Sequence, residues 1–156
     1  MSPSTAELLA LDVLTLSEHT EQAGDVFNVE AHQAKLGESV KVNEICAVGR
    51  DGILAAYAML RAESDTCWFV GAFVMHPLHR TYTVMSELIT KIAILANEQD
   101  IAALRSHVYK TNILSLAFHR RLGFQVTREN AKGFEFFISL DELASNPVVS
   151  RLTNRS

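Results

Sequence analysis

The sequence predicts an α/β (α+β) fold, a mixed central sheet of about six to seven strands flanked by helices, in the order β-α-β-β-β-α-β-α-β-β. Three observations carry this reading. Residues 66–75 are almost continuously apolar, as in a central strand covered on both faces. Just after them Val84, Leu88, Ile92 and Ala96 recur every four residues, the stripe of an amphipathic helix. Arg50-Asp51-Gly52 lies between two strand-like runs, and Asp-Gly is a strong short-range hairpin signal.

Taken in order, residues 8–16 are apolar apart from Asp12 and read as the first strand. Ser17 is placed to cap a helix that starts with Glu18, its hydroxyl accepting a free N–H of the first turn. Ala23, Val26, Phe27, Ala31 and Ala34 continue that helix at the right spacing, and Leu36-Gly37 is the expected stop. Residues 44–49 and 53–60 are the hairpin strands, and Ser64-Asp65 turns the chain into the buried strand, which Pro77 ends. The amphipathic helix is expected over 83–99, a strand over 103–109 and a short helix over 112–122, closed by Gly123. Strands over 124–128 and 134–140, joined by a turn at 130–133, complete the sheet. Residues 141–156 read as a polar tail with a short apolar patch at Val148 and Val149.

The 156 residues are expected to form a single domain, large enough to hold a core without a disulfide or a metal. A net charge of −4 lacks the basic footprint of a general nucleic-acid binder, so no nucleic-acid partner is expected. Cys46 and Cys67 stand far apart inside apolar runs, which fits free thiols in a reducing compartment, and a cytoplasmic location is expected. The start Met1-Ser2-Pro3-Ser4 has neither a basic region nor a long apolar stretch, so no signal peptide is expected, and no membrane span. The histidines form no HExxH or other ligand pair, and no metal is expected.

The chemistry concentrates between Met75 and Phe124. In Met75-His76-Pro77-Leu78-His79-Arg80 a hydrophobic strand ends, a proline follows, and a basic residue comes three positions later. A helix then opens, and the free N–H groups and positive end of a helix start bind phosphates. Farther on stand Val108, Asn112-Ile113-Leu114-Ser115, Phe118-His119 and Leu122-Gly123-Phe124. In their order and separation, the two segments resemble the acetyl-CoA half of the GNAT superfamily of N-acetyltransferases. There V-x-P-x-x-R leads into the phosphate loop, and V-x-x-x-N-x-x-A-x-x-x-Y-x-x-x-G-F follows.

The resemblance implies a GNAT-like sheet, acetyl-CoA as co-substrate, and transfer of its acetyl group to a primary amine by direct attack on the thioester. The acceptor would be a small-molecule amine or a protein amino group. Met75 would offer backbone groups to the pantetheine arm and polarise the carbonyl. Arg80 and the amides of Thr81, Tyr82, Thr83, Val84 and Met85 would hold the pyrophosphate, and Asn112 and Ser115 would border the acetyl end. His119 takes the place of the family's tyrosine, which protonates the leaving thiolate.

Two departures leave alternatives open. The family loop usually reads Arg/Gln-x-x-Gly-x-Gly/Ala, whereas residues 80–85 contain no glycine, the residue that allows close backbone approach. Either the phosphate contacts are re-aimed, another acyl donor is used, or the chain is an inactive GNAT-like binding or structural module. His119 reads either as a proton donor suited to neutral pH or as a solvent-facing residue beside Arg120 and Arg121. Glu30 and His76 are further candidates for the base that deprotonates the amine, read otherwise as an ion-paired helix residue and a loop residue. Arg105 and His107 share one strand face, lining the acceptor cleft or solvated. A homodimer would cover the strands at the C-terminal sheet edge.

Overall fold

The computed structural model describes residues 2–15 and 17–153, with side chains for all of these except 17–19. Three helices, α1 (Thr5–Thr15), α2 (Ser17–Gln22) and α3 (Val29–Val42), precede the sheet. Its strands are β1 (Glu44–Arg50), β2 (Ile53–Ala62), β3 (Cys67–Met75), β4 (Ala103–Tyr109), β5 (Gln125–Glu129) and β6 (Gly133–Ser139). Helix α4 (Tyr82–Glu98) joins β3 to β4, α5 (Ile113–Arg121) joins β4 to β5, and α6 (Leu140–Ser145) and α7 (Pro147–Thr153) follow β6. The sheet order is β1-β2-β3-β4-β6-β5. Only the β3–β4 pair is parallel among the described strands, and α4 is the crossover that such a pair requires. The architecture is the mixed α/β sheet that the sequence predicts.

Three elements differ from expectation. Of the expected first strand over 8–16, residues 8–15 are part of helix α1, and residue 16 lies outside the described residues. Ser4 and Glu7 close a capping box, the Ser4 amide donating to Glu7 Oε1 at 3.0 Å and the Glu7 amide to Ser4 Oγ at 3.2 Å. Leucine, alanine and glutamate favour helix, and a short apolar run does not by itself separate strand from helix. One stripe, Leu8, Leu11, Asp12 and Thr15, is buried, while Val13 and Leu14 are exposed.

The expected single helix from Glu18 to Leu36 is two helices. The chain breaks after Gln22, passes Gly24 at φ +90°, and restarts at Asn28, whose side chain accepts the Ala31 amide at 2.9 Å. Gly37 is no stop, for it lies inside α3. The capping role expected of Ser17 lies outside the described side chains. The expected tail is helical through Thr153: Val149 and Leu152 of α7 are buried in the main core, and Ser86 Oγ donates to the Leu152 carbonyl at 2.5 Å. Residues 154–156 lie outside the described residues.

The hairpin forms as its sequence dictates, with Asp51 at φ 54° and Gly52 at φ 78°, the two positive values that a two-residue primed turn demands. Gly123 follows α5 at φ 92°. Helices α4 and α7 pack Leu88, Ile92 and Leu152 against Leu60, Leu104 and Ile138 on one face of the sheet. On the other face Leu8, Leu11 and Leu36 from α1 and α3 cover Tyr57, Met59 and Val74. There β4 and β6 carry Arg105, His107 and Glu135, and Arg105 and Arg61 both stack on the Phe69 ring at 4.7 Å.

Candidate functional site in the split between β3 and β4

β3 and β4 pair only where Cys67–Val70 meets Ala103–Ser106. Farther along, β3 stays on β2 as far as Met75 and β4 stays on β6 as far as Tyr109, so the two neighbours part in the middle of the sheet. The parting begins at Gly71. Met59 opposes Ala72 and Leu60 opposes Val70, which leaves Gly71 as an extra residue. A bulge of this kind bends its strand and changes which side chains face which layer. Trp68 and Val70 enter the main core, Ala72 and Val74 turn to the layer of α1 and α3, and Phe73 and Met75 return to the side of α4 and α5. From Gly71 onward, the β3 backbone groups aimed toward β4 line an open edge.

A cleft of about 380 Å³ lies beside that edge. Its walls bring together six of the expected residues: Met75, Arg80, Thr81, Met85, Asn112 and Ser115. Three others of the expected phosphate loop do not line it. Val84 is buried in the core, Thr83 is exposed, and the Tyr82 hydroxyl donates to the Arg151 carbonyl at 3.0 Å. Arg80 is exposed at the cleft two residues before the start of α4, where its charge adds to the positive helix end.

Several of these side chains already serve the backbone. Thr81 caps α4 by accepting the Val84 amide at 3.3 Å, and Asn112 caps α5 by accepting the Ser115 amide at 3.2 Å. His76 Nδ1 accepts the Leu78 amide at 3.1 Å and so closes the short 3₁₀ turn Pro77–His79. Glu30 is exposed in the first turn of α3 and does not line the cleft.

His119 is neither solvent-facing nor on the cleft wall, being 5% exposed with its ring between Phe124 and Phe136 at 4.8 and 4.9 Å. Nδ1 donates to the Ser115 carbonyl at 2.8 Å, because a carbonyl only accepts. Nε2 is then the acceptor for the Ser106 hydroxyl at 3.2 Å. Burial holds its pKa below the ordinary value, with the Ser115 carbonyl opposing in part.

The sequence reading missed much of the cleft lining. Phe73 and Phe118, stacked on each other at 5.1 Å, both line it, and Leu114 and Ala117 add to the α5 wall beside Arg121, a cation that the sequence already offered to the phosphates. Phe118 and Arg121 follow the expected Ser115 at steps of three, on one face of α5, and that spacing is the signal that could have found Phe118. Thr15 reaches the cleft from α1, a contact hidden while that segment reads as a strand.

Among the described residues no group of three His, Cys, Asp or Glu is arranged to hold a metal ion, and no helix is long and apolar enough to cross a membrane. Among curated proteins nothing matches the chain. In fold it is similar to PaiA N-acetyltransferase from Thermoplasma acidophilum, solved in complex with coenzyme A (TM-score 0.69, 11% identity, 86% of this chain and 92% of that one). It is also similar to an aminoglycoside 6′-acetyltransferase type Ii (TM-score 0.67, 12% identity, 87% and 89%). A third similar structure is a ribosomal-protein alanine N-acetyltransferase from Escherichia coli (TM-score 0.64, 13% identity, 86% and 86%). The sequence model of the Acetyltransferase (GNAT) family matches residues 13–124, a span that runs from α1 through both walls of the cleft to the residue after Gly123. The chain belongs to the Acetyltransferase (GNAT) family.

Proposed function

We propose that this chain is an acetyl-CoA-dependent N-acetyltransferase that acetylates a primary amine, on a small molecule or a protein. The open β3 edge beside the cleft, with Arg80 and the start of α4 at its end, carries the reading. An amide-bearing extended arm pairs with such an edge as another strand would. A diphosphate suits Arg80 and the free N–H groups of the first turn of α4. When bound, acetyl-CoA supplies the thioester carbonyl that the amine attacks. The Met75 backbone then orients the acetyl end, and Phe73 and Phe118 exclude water around it. His119 acts here as a positioning residue, since its Nδ1 proton is committed to the Ser115 carbonyl and its ring joins Ser106 to Ser115 behind the cleft wall. The free cysteines fit a reducing compartment, and we place the protein in the cytoplasm.

One observation favours a non-catalytic binding module: the Thr81 hydroxyl already occupies the Val84 amide, one of the groups that would face a diphosphate. Calorimetric titration with acetyl-CoA, and with dephospho-CoA for comparison, separates the two readings. Micromolar binding is expected, followed by acetylation of one member of an amine panel containing an aminoglycoside, a polyamine and an alanine-initiated peptide. No heat and no thermal stabilisation at millimolar acetyl-CoA would sink the enzyme reading and promote the module.

A further inference from the structure

Between α1, α3 and β2 lies a hydrogen-bonded trio that the acetyl-CoA cleft does not use. Asp12 is 1% exposed. Its Oδ1 accepts the hydroxyl of the fully buried Tyr57, and its Oδ2 accepts from His32 Nε2 at 2.7 Å. Burial, reinforced by the Asp12 charge, pushes the Tyr57 phenol up, so it remains a donor. A carboxylate held in this way fixes the tautomer of the imidazole. Nε2 carries the proton that faces Asp12, and Nδ1 carries the lone pair. Asp12 cannot be solvated, and His32 alone of the three reaches the surface, with its side chain 22% exposed.

The trio stands at the end of the sheet where β3 and β4 part. Asp12 lies one helical turn before Thr15, the α1 residue that lines the cleft, on the same buried stripe. Tyr57 is in register with Val74, which also lines the cleft. The His32 ring packs on Phe27 at 5.0 Å, in the segment whose Asp25 is bound by Tyr109 at the end of β4. On its own helix the charged neighbours Glu30 and Lys35 are exposed; Asp12 is the carboxylate bonded to this imidazole, and Tyr57 bonds the other oxygen of that carboxylate.

We propose that His32, held by Asp12 and Tyr57, is the general base of the acetyl transfer. This rests on the acetyltransferase reading. Nδ1 takes one proton from the acceptor ammonium, directly or across one water molecule. The freed nitrogen lone pair forms the C–N bond at the thioester carbonyl, and the C–S bond breaks as the tetrahedral intermediate collapses. The second proton of that nitrogen goes to the departing thiolate, and His32 returns its own proton to solvent.

His32→Gln keeps a hydrogen-bond partner for Asp12 but removes the base. With the amine identified by the panel above, kcat/KM is expected to fall roughly 100-fold or more, with acetyl-CoA binding and thermal midpoint as in the wild type. His32→Ala is expected to regain activity with added imidazole, which a purely structural tack between helices would not. A His32→Gln variant within about threefold of wild type overturns the proposal and leaves the acetyltransferase reading standing. Loss of activity accompanied by a lowered thermal midpoint, without imidazole rescue, overturns it as well. A wild-type protein that binds no acetyl-CoA overturns both.

Discussion

The hydroxyl of Tyr109, the last residue of β4, donates to Asp25 Oδ2 at 3.1 Å and so ties the segment between α2 and α3 to the end of the sheet. Lys132, from the turn between β5 and β6, binds the other oxygen of the same carboxylate. One side chain thus fastens three parts of the chain beside the split. Lys132, and after it Tyr109, holds the Asp25 carboxyl below its ordinary 3.8. With the folded value depressed, the contribution of this group is complete above the unfolded value and is lost as pH falls through the folded one. The tie is therefore intact at neutral pH. Tyr109→Phe is expected to speed amide exchange in residues 23–28 and to raise KM for the amine, with acetyl-CoA affinity unchanged. Hydrogen-exchange mass spectrometry and steady-state kinetics read the two effects.

His119 makes a prediction on the acid side. Burial depresses its pKa from 6.5, so the unfolded chain takes up a proton that the folded chain resists. Its contribution to stability is whole above 6.5 and declines as pH falls from there toward the folded value. The slope reaches at most about 1.4 kcal/mol per pH unit for one proton. Urea unfolding at a series of pH values is expected to show that decline in the wild type, and a shallower one in His119→Gln.

Leu152 anchors α7 in the main core, and its carbonyl accepts the Ser86 hydroxyl. Leu152→Ala is expected to cost roughly 2–5 kcal/mol, as a buried leucine truncation does. At about 2–4 °C per kcal/mol for a chain of this size, calorimetry detects it readily. Because Tyr82, at the start of α4, is bonded to Arg151 of the same helix, acetyl-CoA affinity is expected to weaken as well.

Arg80 stands free of the helix-capping duties that occupy Thr81 and Asn112. Arg80→Ala is expected to weaken acetyl-CoA roughly 10- to 100-fold, the loss of one charge-assisted phosphate contact. Acetyl-pantetheine, which lacks the diphosphate, should bind both proteins alike. Equal weakening of the two ligands would place the role of Arg80 in the fold rather than in phosphate binding.

The sheet from β1 to β6 was legible because its signals are local: Asp51-Gly52 for the hairpin, Pro77 and Gly123 for the ends of β3 and α5, and a four-residue apolar rhythm for α4. Residues 8–15 were misread because apolar content outweighed the Ser4–Glu7 capping box, which lies just before the apolar run. The tail was misread because Val149 and Leu152 have meaning only against α4, far away in sequence. Within the site, positions in the two motifs reached the cleft wherever backbone direction decided, as at Met75 and Ser115. Burial decided His119, and neither Phe124 nor Phe136 announces in the sequence that it will enclose that ring. Asp12, His32 and Tyr57 lie 20 and 45 residues apart and share no motif. The one trace of their meeting was a lone acid in an apolar run.

A sheet that divides at its centre is an unfinished structure, and its missing strand need not be protein. The inward-facing edge of β3 beyond Val70 leaves a slot shaped for an extended chain of amides. Filling it would carry the pairing of the sheet across the part where β3 and β4 diverge. Recognition and the last step of assembly would then be one event. The thermal midpoint would climb with the logarithm of donor concentration, by about 2.7 kcal/mol of added stability at a hundredfold excess over Kd. The empty molecule would be softest along the seam between β3 and β4 rather than at its rims, and that seam would stiffen each time a donor arrived.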